Sequence, residues 1–198
     1  MNTRNSPFIS TMTVFAGTNG AGKSTISREL ADRVGVVVDA EAIAKELNPE
    51  NPESAIVSAG REALRRIGHC ISEKCNFSLE TTLSGKYALQ QMLNAKEQGF
   101  QVSLFYVGLD DVELHVLRVA ERVRKGGHYI AEEDIRRRYI RSLTHLGQAI
   151  ALADQTNIID NTQVLRNILK IEKGQIRYRS KDIPSWVIRH VLPLLTQS

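Results

Sequence analysis

Gly17-Thr18-Asn19-Gly20-Ala21-Gly22-Lys23-Ser24-Thr25 is a complete Gly-x4-Gly-Lys-Ser phosphate-binding loop, and the residues on either side suit it. The apolar run Met12 to Ala16 predicts a short buried strand entering the loop. Ser24 to Val34 predicts the helix leaving it, with Ile26, Leu30 and Val34 at helical spacing. Glycines let backbone N–H groups turn inward around a triphosphate, Lys23 reaches the outer phosphates, and the Ser24 hydroxyl is placed to ligate Mg2+. The expected nucleotide-binding set is Gly17, Asn19, Gly20, Ala21, Gly22, Lys23, Ser24 and Thr25, with ATP and Mg2+ as cofactors and Ser24 as the metal ligand.

Beyond the loop, Val36-Val37-Val38 predicts a second strand that delivers Asp39 and Glu41 to its carboxyl end, where ligand crevices of parallel sheets lie. The same acids equally suit the N-terminal cap of a helix from Ala42 to Leu47. Asn48-Pro49-Glu50-Asn51-Pro52 breaks the chain before a helix from Glu53 to Lys74, which carries Ile56, Ala59, Ala63, Ile67 and Ile71 on one face. Asn76 to Glu80 predicts a third strand ending in an acid. Glu80 with Thr81 and Thr82 forms an acid-hydroxyl cluster suited to a metal-bound water or to substrate hydroxyls. After a helix from Lys86 to Gln98, Gln101 to Leu109 is nearly continuous in apolar residues, as a fully covered parallel strand should be.

Asp110-Asp111 then cap a helix containing Leu114, Leu117 and Val119, and a long helix follows from Glu132 to Leu152. Asn157 to Asp160 predicts the last sheet strand. Val164 to Ile171 and Gln175 to Tyr178, around Lys173-Gly174, predict a hairpin, and Pro184 to Leu195 one helix packed on the body. Strands alternating with helices predict an α/β fold: a P-loop NTPase three-layer sandwich with a mainly parallel central sheet, a helical lid, and a C-terminal β-hairpin plus helix. At 198 residues the expectation is one domain, 1–198.

The net charge of +4 is local. Arg118 to Arg141 holds eight basic residues against four acidic ones, which accounts for the whole excess. A basic helix end, the pair Gly126-Gly127 and a second arginine-bearing helix predict a lid that moves on its glycines and offers planar guanidinium groups to phosphoryl oxygens. Tyr129 and Tyr139 are the aromatics of that segment, too few for a stacking platform, which argues against a nucleic-acid partner. No apolar run approaches the ~20 residues of a membrane span, so no membrane partner is expected. Met1 to Thr11 lacks the pattern of a secretory signal, and the expected location is the cytoplasm. Cys70 and Cys75, five apart on an expected helix, suit neither zinc nor a disulfide and read as reduced thiols.

Taken together, Gly17 to Thr25, Asp39-Ala40-Glu41 ahead of Asn48-Pro49, Phe77 to Gly85, Arg122-Val123 with Gly126-Gly127-His128, Ile135 to Tyr139, and Asp160-Asn161 resemble the zeta-toxin group of P-loop kinases, particularly its short stand-alone members. The resemblance implies a kinase that uses ATP and Mg2+ to phosphorylate a hydroxyl of a UDP-sugar such as UDP-N-acetylglucosamine. It also implies a toxin held by an antitoxin protein. It places Lys23, Glu41, Arg122 and Arg138 among catalytic residues, and Asp39, Glu80, Thr81, Thr82 and His128 on the substrate side. The charge-stabilising arginines would come from Arg118, Arg122, Arg124, Arg137, Arg138 and Arg141. The family's catalytic acid, usually aspartate, falls on Glu41, one methylene longer, and Asp39 takes a supporting metal-side or structural role. The rival readings are a P-loop ATPase without an acceptor and a nucleic-acid-binding ATPase.

Overall fold

The computed structural model describes residues 9–195, so the expectation about a leader in Met1 to Thr11 falls mostly outside the described residues. A central sheet holds β1 (Thr11–Ala16), β2 (Val36–Val38), β3 (Phe77–Thr81), β4 (Gln101–Gly108), β5 (Gln155–Asp160), β6 (Arg166–Glu172) and β7 (Gln175–Arg179) in the order β2-β3-β1-β4-β5-β6-β7. The first five are parallel and β6 and β7 are antiparallel, so the chain is an α/β fold with a mainly parallel sheet and a C-terminal hairpin. β1 lies between β3 and β4, with Val14 level with Leu79 on one side and Leu104 on the other. The phosphate loop therefore leaves from the middle of the parallel sheet, at its carboxyl end.

Period-two alternation sends Met12, Val14 and Ala16 into a large apolar layer, and Phe15 into a smaller one on the opposite face with Ala21, Ile26 and Val34. The smaller layer is covered by α1 (Lys23–Glu29) and α2 (Ala31–Val34). These replace the single helix expected from Ser24 to Val34. The break comes at Leu30, whose carbonyl turns to accept from Arg33 N while its side chain packs on the Phe15 cluster.

α3 (Ala40–Leu47) is followed by a short 3-10 turn (Pro52–Ala55), α4 (Ile56–Ser72) and α5 (Tyr87–Glu97). α4 stops short of the expected Lys74 because Lys74 takes a left-handed φ of 53° and Cys75 N–H bonds back to the Cys70 carbonyl. Cys75 therefore lies beyond the helix. Both thiols are free, and burial pushes that of Cys70 up to about 12.

α6 (Val112–Arg124) and α7 (Glu132–Leu152) flank the Gly126-Gly127 turn and share a cluster of Val119, Ile130 and Ile135. The tail forms α8 (Ser185–His190) and α9 (Leu192–Leu195) rather than one helix, since Pro193 has no N–H to continue the ladder. No helix among the described residues is long and apolar enough to cross a membrane.

Trp186, on α8, is 1% exposed and sits on Gly108 at the end of β4, where any Cβ would meet its ring at 2.5 Å. Its indole N–H donates to Asp160 Oδ1 at 2.9 Å, and its backbone N–H to Asp110 Oδ1 at 3.1 Å. Asp110 thus holds the C-terminal helix, and Asp111 alone caps α6 by accepting Glu113 N–H. α8 is thereby pinned at the same end of the sheet as the phosphate loop.

Candidate active site

The loop between β1 and α1 is shaped by close packing. Gly17, at φ 141°, runs against the Val107 carbonyl of β4, where a Cβ would lie 2.2 Å from the oxygen. Gly22 begins α1 at φ 98° and offers no side-chain cap, so the loop's own N–H groups remain the donors. Behind it, Asn161 Nδ2 donates to the Ala21 carbonyl at 2.8 Å, and Arg118 donates to the carbonyls of Asn161 and Thr162. The end of β5 and α6 therefore brace the loop from outside.

Two adjoining cavities open here. One, of about 460 Å³, is lined by Gly20, Gly22, Lys23, Ser24 and Thr25 of the loop together with Arg28, Asp39, Glu80, Arg118 and Arg122. The other, of about 670 Å³, lies between α3, the 3-10 turn and the lid, with Pro49, Glu53, Ile56, Tyr129 and Arg138 on its walls. Asn19, Glu41, Lys45, Gly127 and His128 line both. Glu41 is thus at the boundary between a phosphate cradle and a second compartment.

Lys23 is buried, and desolvation holds its pKa below that of an ordinary lysine. Glu80, Asp39 and Glu41, in that order, oppose the shift, while Arg122 adds to it. Glu80 accepts from Ser24 Oγ at 3.1 Å and from Ser27 Oγ at 3.3 Å. It stands one strand over from the loop because β3 pairs with β1 at Phe15 and Glu80. Among the described residues no group of three His, Cys, Asp or Glu could cage a metal. The donor set instead suits Mg2+, which keeps several waters and takes one hydroxyl and a nearby carboxylate with phosphate oxygens.

The residues singled out from sequence divide on this geometry. Gly20, Gly22, Lys23, Ser24, Thr25, Asp39, Glu41, Glu80, Arg122 and His128 line the loop-side cavity with Asn19, and Arg138 lines the other with Asn19, Glu41 and His128. Ala21 is buried beneath the loop. Thr81 and Thr82 line neither cavity: Thr81 Oγ1 accepts from Leu83 N–H, and the Thr82 hydroxyl pairs with Ser84. In that turn Leu83, fully buried, holds a left-handed φ of 56°, with its carbonyl bonded to His145 Nδ1. The acid-hydroxyl cluster therefore does not form, and Glu80 joins Ser24 instead.

Asp39 and Glu41 do not continue an extended strand. Asp39 caps α3, accepting Glu41 N–H, and Glu41 lies in the helix's first turn, 3.4 Å from Lys45 Nζ. The lid arginines also separate. Arg118 holds carbonyls, Arg137 pairs with Asp134, and Arg124 and Arg141 line neither cavity. Arg136 is taken by Glu113 and Glu132. Arg122 faces the loop-side cavity, with one N–H on the His128 carbonyl and a buried Nε that has no partner among the described residues. Lys45 and Arg28 line the loop-side cavity and His115 bonds the Asn19 carbonyl behind it, and none of the three stands out in the sequence. Lys45, four residues after Glu41 on one helix face, is the most readable of them.

The sequence matches the zeta toxin family over residues 3–182. An uncharacterized protein of Haemophilus influenzae is 43% identical over 125 residues, 63% of this chain and 89% of that one. The AvrRxo1-ORF1:AvrRxo1-ORF2 complex, solved with sulphate ions, superposes with a TM-score of 0.66 at 14% identity, over 85% of this chain and 60% of that one; it has also been solved with ATP. This chain thus spans about three fifths of that neighbour's length. A structure of the PezAT chromosomal toxin-antitoxin system of Streptococcus pneumoniae superposes with a TM-score of 0.60 at 17% identity, over 91% of this chain and 78% of that one. The last two share the fold; the match across most of the sequence shows more, and the chain belongs to the zeta toxin family.

Proposed function

We propose that this protein is a kinase that transfers the γ-phosphoryl group of ATP to a hydroxyl of a small molecule, with a nucleotide sugar such as UDP-N-acetylglucosamine the first acceptor to try. We further propose that it is a toxin restrained by an antitoxin protein, a reading supported by family membership and by the fold shared with the PezAT system. The observation that carries the kinase reading is the position of Glu41 on the boundary of two cavities, one of them walled by the phosphate loop. An ATPase with water as its acceptor would not need the second compartment.

When bound, Mg-ATP supplies the phosphoryl group and a cation that screens its charge. Ser24 and Glu80 would hold the cation. Glu41 takes the proton of the acceptor hydroxyl, whose oxygen forms the new bond to phosphorus as the bond to the leaving diphosphate breaks. Lys23 and Arg122 offset charge on the moving group, and the burial of Lys23 and of the Arg122 Nε strengthens that effect. The test is a screen of nucleotide sugars, nucleosides and antibiotics with Mg-ATP, read as mass gain of one phosphoryl group. Gain that disappears in Lys23→Ala supports the reading. ATP consumption with no phosphorylated product from any acceptor would favour the simple ATPase.

A further inference from the structure

Both lid helices grip the phosphate loop through one residue. His115, on α6 and 1% exposed, bonds through Nδ1 to the Asn19 carbonyl at 2.8 Å. Burial pushes its pKa down to about 4, so the ring is neutral at pH 7 and the nitrogen facing the carbonyl carries the proton. Arg138, on α7, donates from Nη1 to Asn19 Oδ1 at 3.0 Å. Asn19 also lines both cavities.

The choice of acceptor matters. Arg136 and Arg137 face carboxylates, which neutralise them. A neutral amide oxygen orients the Arg138 guanidinium while leaving its charge and its other N–H groups uncommitted. We propose that Asn19 is a positioning residue that aims Arg138 into the second cavity beside the phosphate loop and couples lid order to that loop, with His115 fixing its backbone. The catalytic half of this rests on the kinase reading. The lid-ordering half does not.

The first measurement is hydrogen exchange on the full chain without nucleotide. The lid amides of Lys125, Gly126, Gly127, Asp134 and Ile135 are bonded within the lid and report its order. Asn19→Ala should speed their exchange ~5-fold or more while the β6–β7 hairpin is unchanged, and Asn19→Asp, which keeps the acceptor oxygen, should keep them protected. Unchanged lid exchange in Asn19→Ala overturns the proposal, whether or not the protein turns over ATP.

The second measurement is single-turnover consumption of Mg-ATP by Asn19→Ala, Arg138→Ala and the double variant. If Asn19 acts through Arg138, all three should slow by the same factor, ~10-fold, with Mg-ATP affinity within ~3-fold of the parent. Asn19→Asp should be slow although its lid is ordered, because the carboxylate neutralises the guanidinium. A purely structural asparagine would not give that split. Losses that multiply in the double variant overturn the proposal. A parent that consumes no Mg-ATP in the absence of an acceptor leaves the exchange result alone to decide.

Discussion

Asp39 Oδ1 accepts the backbone N–H of Glu41 at 2.9 Å, so one of two neighbouring carboxylates starts a helix and lines the loop-side cavity alone, while the other lines both cavities. Glu41→Gln should keep Mg-ATP affinity and slow transfer ~10²-fold or more. Asparagine caps helices as well as aspartate, so Asp39→Asn should stay active, whereas Asp39→Ala should lose ~1 kcal/mol of stability. Nucleotide titration, single-turnover transfer and urea midpoints on the three variants check this. An inactive Asp39→Asn beside an active Glu41→Gln would reverse the assignment.

Lys23 carries its charge in a buried place, which is unfavourable for folding and useful for a phosphate. Lys23→Met keeps most of the volume and removes the ammonium. It should abolish phosphoryl transfer and weaken Mg-ATP binding, yet unfold at the same or a higher urea concentration than the parent. A large drop in stability would show that the ammonium, with Glu80, Asp39 and Glu41 about it, holds the fold together.

Ser24 and Glu80 share one hydrogen bond and, on the reading above, one cation. Ser24→Ala and Glu80→Gln should each raise the Mg2+ concentration for half-maximal activity ~10-fold, and the double variant should go little further. A Mg2+ titration at saturating ATP measures this. An unchanged Mg2+ requirement with weaker acceptor binding in Glu80→Gln would return that residue to the acceptor side.

His115 gives a pH dependence whose sign follows from its lowered pKa. In the folded chain the ring titrates at about 4, against an ordinary value of 6.5, so between these pH values the unfolded chain binds the proton and the folded chain does not. Stability from this group is complete above about pH 6.5 and falls as pH drops toward 4, by up to ~3 kcal/mol. His115→Gln should lose less stability than the parent between pH 7 and pH 4.5, as measured by urea unfolding. Parallel losses would mean that other groups carry the acid limb.

The sheet and its loop were legible because their signals are local: an apolar run, a glycine-rich loop, a periodic helix. What escaped depends on distant contacts. Arg136, Arg137 and Arg138 are adjacent in sequence, but on a helix they point in three directions, and only contact with Glu113 or Asn19 decides which meets the cavity. His115 sits mid-helix with no motif around it, and its partner is 96 positions earlier. Thr81 and Thr82 looked like ligands because the left-handed turn at Leu83, which takes up the Thr81 hydroxyl, carries no glycine to announce it. For Asp39 and Glu41 the outcome turns on two residues: a helix starting at Ala40 rather than Ala42 removes their strand-like equivalence.

Synthesis proceeds from the N-terminus, and Trp186 is among the last described residues to be made. Until it arrives, the Asp160 carboxylate at the tip of β5 lacks its indole donor, and the neighbouring Asn161 and Thr162, which brace Ala21 and Arg118, lack a finished support. With 163 positions separating Lys23 from Trp186, a ribosome adding ~5–20 residues per second needs on the order of ten to thirty seconds to pass from one to the other. For that interval the nascent chain carries the phosphate loop without its completed frame.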